Sequence, residues 1–239
     1  MKITQKTSRP GLVDIWNAFM CEGAEWTQND IPLCPTKLSK MPLRIITWVE
    51  AKAIYKKRVR KNPSFKDDSF VCFYIDDQKF DGSREGIWSK PFRALKILSH
   101  FKGIITPDFS TYQEFPYPVK IHNTYRMRAF GYWCGNEGLE VINNVRWGTE
   151  ETFDYCFDGI EKNTVIAIGT VGGSPRKILD RPRFERGLDE LVKQLEPKTI
   201  ITYGSAKYPC FARLKENGIE IIEYPSSTAE AFRRRKENE

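Results

Sequence analysis

No stretch of this chain approaches the ~18 consecutive apolar residues that a membrane helix needs. The opening Met1-Lys2-Ile3-Thr4-Gln5-Lys6 lacks the apolar core of a secretory signal. A cytoplasmic setting with no membrane partner is therefore expected. Histidine is scarce, with only His100 and His122. The six cysteines are Cys21, Cys34, Cys72, Cys134, Cys156 and Cys210, and none forms a C-x-x-C pair. With so little imidazole and no paired thiols, a structural zinc site is not expected. The cysteines read as small buried residues in a reducing compartment. The signatures of zinc proteases, zinc deaminases, kinases and nucleophile-elbow hydrolases are all missing, so no familiar catalytic motif assigns a reaction.

What the chain does have is a core and a positive charge. Of 239 residues, 40% are hydrophobic and 29% charged, which excludes a disordered or collagen-like chain. The formal net charge of +7 favours anionic partners such as nucleotides, nucleic acid or an acidic protein surface, or serves solubility alone. Two basic clusters stand out. Lys56, Lys57, Arg58, Arg60 and Lys61 close the first helix of the repeating part, and Arg233 to Lys236 lie in the tail. Cations at a helix C-terminus suit the macrodipole, and they equally suit a phosphate backbone.

The chain divides into an N-terminal helix and proline-bearing wrap (1–42), one β/α domain (43–228) and a basic tail (229–239). A helix is expected over Leu12 to Cys21. Short apolar runs then recur at Leu43–Trp48, Phe70–Ile75, Gly103–Asp108, Leu139–Trp147, Thr164–Thr170, Thr199–Tyr203 and Ile219–Tyr224. Helical patterns separate them at Glu50–Arg60, Lys90–Phe101, Pro118–Glu137, Thr149–Phe157, Arg183–Leu195 and Tyr208–Asn217, and Ala229–Lys236 closes the chain. Alternating strands and helices predict an α/β fold with a mainly parallel sheet. The repeat of roughly 30 residues matches a TIM-like β/α barrel, complete or incomplete. Seven strands are visible, and an eighth would have to lie in residues 1–20. The alternative is an open, doubly wound sheet.

Both folds bind ligands at the carboxyl ends of their strands. There the sequence places Asp76 and Asp77, Asp108, then Asn144 and Arg146. The last two are two residues apart and so share one side of the sheet. A buried guanidinium must find a carboxylate, a phosphate or water, and Asp108 on the preceding unit is the nearest candidate. Asp108, Asn144 and Arg146 thus form either an acid/base or anion site, or an ion pair closing the core. Gly172, Gly173 and Ser174 follow the fifth run, and Ser205 follows the sixth. Glycine-rich loops let backbone amides converge on an anion. Asn123 and Arg126 share a face of the long helix, where they either meet a ligand or tie the helix to the Asp108 loop.

Several segments together resemble the DUF4417 family. They are Thr106-Pro107-Asp108-Phe109-Ser110-x-Tyr112, Asn123-Thr124-Tyr125-Arg126-x-Arg128, Val145-Arg146-Trp147-Gly148, Cys156-Phe157-Asp158-Gly159-Ile160 and Tyr203-Gly204-Ser205. The likeness spans about residues 30–225. The chain departs from the family pattern at Asn143, where a proline is expected, and in the Gly169-Thr170-Val171-Gly172-Gly173 loop. The family has no established activity. The resemblance implies a cytoplasmic protein of phage or mobile-element origin.

The leading expectation is a cleft that takes a phosphate-bearing ligand, a nucleotide or a nucleic-acid end; whether it is an enzyme is left open, and if it is, the reaction class is hydrolysis or transfer at a phosphate or glycosidic bond. Asp108 would be its acid/base group. Arg146 and Arg126 would hold phosphate, and Asn144 and Asn123 would orient it. Mg²⁺ near Asp76, Asp77 and Asp108 is the cofactor to test. The rival readings are a module that binds a host or phage protein, anchored by aromatics such as Trp26, Trp48, Trp88 and Tyr117, and a nucleic-acid-binding accessory protein.

Overall fold

The structure is a computed structural model that describes residues 14, 16–59, 61–171, 175 and 177–237. Seven strands run β1 Ile45–Thr47, β2 Asp67–Cys72, β3 Phe101–Ile105, β4 Glu140–Asn144, β5 Val165–Gly169, β6 Thr199–Tyr203 and β7 Glu220–Tyr224. The helices are α1 Trp48–Ile54, α2 Pro91–Leu98, α3 Tyr117–Asn136, α4 Arg181–Leu195, α5 Pro209–Glu216 and α6 Ser227–Glu237. Every neighbouring strand pair is parallel.

The strand order is β1 through β7 without reversal. A doubly wound sheet must reverse its order at a switch point, so the alternative is set aside. The sheet curls into an incomplete, TIM-like barrel. Its inner face carries Phe70, Cys72, Ile105, Ile142, Ala167, Ile201 and Tyr203 in one cluster. The outer faces bury two further clusters beneath the helices. Tyr74, just past β2, stacks on Tyr203 of β6 with ring centroids 5.3 Å apart. Rings four strands apart in the sheet meet only if it curves. Gly169 permits this contact, because a Cβ there would fall 2.6 Å from the Tyr74 ring.

No eighth strand appears among the described residues, and β1 and β7 do not pair. The wrap instead bridges to β4, and its Leu38 and Met41 pack against the inner-face cluster. β4 pairs with β5 only at Asn143 and Asn144. Lys37 takes the groups left free at Val141, accepting from its amide at 2.7 Å and donating to its carbonyl at 2.9 Å. Buried backbone groups need such partners. Of the helix expected over Leu12 to Cys21, the described residues show a 3₁₀ turn at Ala18–Cys21, and the rest lies outside or in irregular chain.

Two other elements differ from the sequence expectation. The first helix is α-helical only to Ile54 and widens to a π-helix over Tyr55–Val59. Residues 149–157 form a 3₁₀ turn at Glu150–Thr152 and then turns. There the Thr152 hydroxyl donates to the Thr149 carbonyl at 2.7 Å and accepts from the Gly148 amide at 3.0 Å. Such local side-chain bonds compete with a continuing helix. Among the described residues, no helix is long and apolar enough to cross a membrane.

Candidate functional site

The barrel mouth is built where β3 and β4 end. Beyond Ile105 the chain turns through Thr106, Pro107 and Asp108. The Thr106 hydroxyl accepts from the Asn144 amide at 2.8 Å, which locks the two strand ends together. Asn144 points into the barrel and is fully buried. Its Oδ1 accepts from the Tyr74 hydroxyl at 3.0 Å, and its Nδ2 donates to Asp108 Oδ1 at 3.0 Å. Arg146 Nη1 meets the other carboxylate oxygen of Asp108 at 3.3 Å. A single chain of contacts therefore runs Tyr74–Asn144–Asp108–Arg146. Exposure rises outward from Asn144, which is sealed, to the Asp108 side chain at 12% and Arg146 at 28%.

Beneath this chain lies Arg128 of α3, which is fully buried. Among the described residues it has no carboxylate partner in hydrogen-bond contact. Its guanidinium donates instead to three backbone carbonyls, Asn144 at 3.0 Å, Cys156 at 3.2 Å and Asp158 at 2.9 Å. Burial pulls its pKa down to about 10, which still leaves it charged at neutral pH.

Above it, Arg146 opens into a cleft of about 400 Å³. Trp147, Lys177, Asp180, Arg183 and Glu114 contribute to its walls. So does Thr111, whose residue is 5% exposed and whose hydroxyl has no hydrogen-bond partner among the described residues. Several cations lining one cavity can hold an anion.

The remaining candidates are placed differently. Arg126 donates to Asp81 at 2.7 Å and to Asn123 Oδ1 at 2.7 Å, and its guanidinium lies 3.9 Å above the Phe109 ring. Asn123 in turn donates to the Ser110 carbonyl. This pair ties α3 to the Asp108 loop, and neither residue lines the cleft. Asp77 accepts from the Ser110 amide and hydroxyl at 3.1 and 2.8 Å. Asp76 is exposed and pairs with Lys79 at 2.9 Å. Among the described residues, no group of three or more His, Cys, Asp or Glu side chains could hold a metal ion. Asp76, Asp77 and Asp108 do not form such a group: Asp76 pairs with Lys79, Asp77 with Ser110, and Asp108 with Asn144 and Arg146. Ser205 Oγ accepts from the Lys207 amide at 3.2 Å, within its own loop. Gly172, Gly173 and Ser174 lie outside the described residues, as does Arg60. Lys56, Lys57, Arg58 and Lys61 are exposed. Because β1 rises to the mouth and α1 returns from it, they sit at the opposite end of the barrel. Of the aromatics proposed as anchors, Trp48 is 2% exposed and belongs to the core.

The profile of a domain of unknown function, DUF4417, matches residues 36–225. The chain belongs to this family. The "Gene 1 protein" of Mycobacterium phage D29 is 34% identical over 220 residues, covering 92% of this chain and 75% of its own length. The "Gene 1 protein" of Mycobacterium phage L5 is 30% identical over 220 residues, covering 92% of this chain and 88% of its own. No solved structure matches the chain. The segments that carried the DUF4417 resemblance converge in space. Arg128 from one reaches the carbonyls of Cys156 and Asp158 from another, while Asp108 and Arg146 come from two more.

Sequence reasoning missed Tyr74, Thr111, Lys177 and Arg183 as members of this mouth. Arg183 was visible as the first residue of a helical pattern, and helix starts in β/α units face the strand carboxyl ends. The others carried no signal of their own.

Burial pushes the Asp108 carboxyl above its ordinary value, outweighing Arg146 and Asn144, which pull it down. A raised folded-state pKa means that the fold favours the protonated form. The stability Asp108 contributes is therefore full below its unfolded value of about 4 and is lost as pH rises through its folded value. Urea unfolding across a pH series should show the wild type losing stability relative to Asp108→Asn as pH climbs from about 4. Parallel profiles for the two proteins would refute the assignment.

Proposed function

We propose that this DUF4417 protein binds a small phosphate-bearing ligand in the cleft at the carboxyl ends of β4 and β5. The carrying observation is the state of Arg146. Asp108 engages one edge of its guanidinium and fixes its direction, while the side chain remains partly exposed in a cavity shared with Lys177 and Arg183. A guanidinium held this way is pre-organised for a planar or tetrahedral oxyanion. The volume of about 400 Å³ falls in the range of small-ligand sites, ~300–1,000 Å³. Asn144 and Tyr74, sealed behind Asp108, position the pair and do not touch ligand.

Calorimetric titration with tripolyphosphate tests this reading. Saturable binding is expected, weakened about ten-fold or more in both Arg146→Ala and Arg183→Ala. Among the described residues Arg183 makes no ion pair with a carboxylate, so its variant separates lost ligand contact from a disturbed Asp108. Lys57→Ala, at the far end of the barrel, should bind as wild type does. Absence of saturable binding, or equal loss in Lys57→Ala, would overturn the proposal.

A further inference from the structure

We infer that the ligand of this cleft is a mononucleotide whose base rests on Tyr112; this rests on the phosphate reading above and narrows it. Three features of the cleft point the same way. The first is an aromatic face at its edge. Tyr112 lines the cavity, is 48% exposed, and is held edge-to-face by Phe115 with ring centroids 5.1 Å apart. A ring braced on one side and bare on another is a stacking platform, and bases stack on such rings with little regard to sequence.

The second feature is bare aliphatic surface on the segment that flanks the cavity. Ile178 and Leu179 are 78% and 93% exposed. They are carried between Lys177 and Asp180, both of which line the cavity. Two large aliphatic side chains left bare beside a cationic site suit a flat apolar surface entering with the anion. Inorganic phosphate or a sugar phosphate offers no such surface.

The third feature is the charge pattern. Arg146, Lys177 and Arg183 share the cleft with the carboxylates of Glu114 and Asp180. Carboxylates repel phosphate but accept from ribose hydroxyls and exocyclic amines. The ligand therefore carries both an anionic end and a donor-rich end. The same pattern argues against a polynucleotide. The cleft continues past Gln113 and Arg183 into a second hollow lined by Arg186, Glu150 and Glu151. There Arg186 pairs with Glu150 at 2.8 Å, and Glu151 pairs with the buried Lys120. A strand leaving the cleft would meet neutralised or acidic surface where it needs cations.

Isothermal titration of the full chain with tripolyphosphate, with the four ribonucleoside triphosphates and with a short single-stranded oligonucleotide decides the matter. At least one nucleoside triphosphate should bind about ten-fold tighter than tripolyphosphate, the scale of one base–aromatic stack. Tyr112→Ala should erase that difference and leave tripolyphosphate affinity unchanged, while Tyr112→Phe should keep it. Tyr112 is half exposed, so its loss does not threaten the fold. Equal affinity for nucleotides and tripolyphosphate, with tripolyphosphate bound, overturns the base subsite and leaves the phosphate reading standing. Tighter binding of the oligonucleotide than of any mononucleotide also overturns it. Failure of every ligand to bind overturns both.

Discussion

Arg128→Met should destabilise the protein by about 4 kcal/mol, near the top of the range for single substitutions. The side chain is fully buried, and its three hydrogen bonds all go to backbone carbonyls. Methionine fills much of the volume and removes every donor. The carbonyls of Asn144 and Cys156 would then be buried without partners, and that of Asp158 partly so, at about 1–3 kcal/mol for each buried group before relaxation. Part of that cost is recovered because the wild type must itself bury a charge, which is why the expected value lies below the simple sum. For a chain of this size the loss corresponds to a fall in melting temperature of about 8–16 °C. Arg128→Lys should recover little of it, because one ammonium cannot span three carbonyls arranged around a planar fork. Thermal and urea unfolding of the two variants check this. A change below about 1 kcal/mol for methionine would mean that water or a shifted loop satisfies the carbonyls.

The consequence reaches the cleft, because Arg128 holds the carbonyl of Asn144, whose side chain orients Asp108. This coupling also explains what the sequence could and could not reveal. Val165–Ile168 and Thr199–Tyr203 were legible as strands because a parallel strand covered on both faces must be apolar throughout. Asn144 and Arg146 stood out against that background as polar residues two apart, and Asp108 followed from the adjacency of consecutive units. Arg126 looked equivalent to Arg146 in sequence. Its partner Asp81 lies 45 residues away in an irregular loop, and no local pattern announces such a pairing. Lys177 and Arg183 were equally silent, because their role depends on how the start of α4 leans over the mouth. Thr149–Phe157 had helical spacing but carried Thr152, whose hydroxyl captured the turn. The local period was visible, and the competing bond was not.

The cleft's far wall yields the second large effect, one whose sign is opposite to intuition. Gly187 lies inside α4, where replacing glycine with alanine ordinarily stabilises a helix by about 1 kcal/mol. Here a Cβ would fall 2.0 Å from Trp147 Nε1. Trp147 lines the cleft and packs on Phe184 with ring centroids 5.2 Å apart, so its indole lies directly on the bare backbone of Gly187. Gly187→Ala must therefore move the indole or bend the helix. Overpacking of this kind costs about 1–3 kcal/mol, which outweighs the gain in propensity. A net loss of about 1–2 kcal/mol is expected, together with weaker tripolyphosphate binding, because the displaced ring would project into the cavity. Combining Gly187→Ala with Trp147→Ala should be clearly less damaging than the sum of the two changes, since the added methyl then occupies vacated space. A Gly187→Ala protein more stable than the wild type would show that Trp147 does not rest on α4, and would remove one wall from the proposed site.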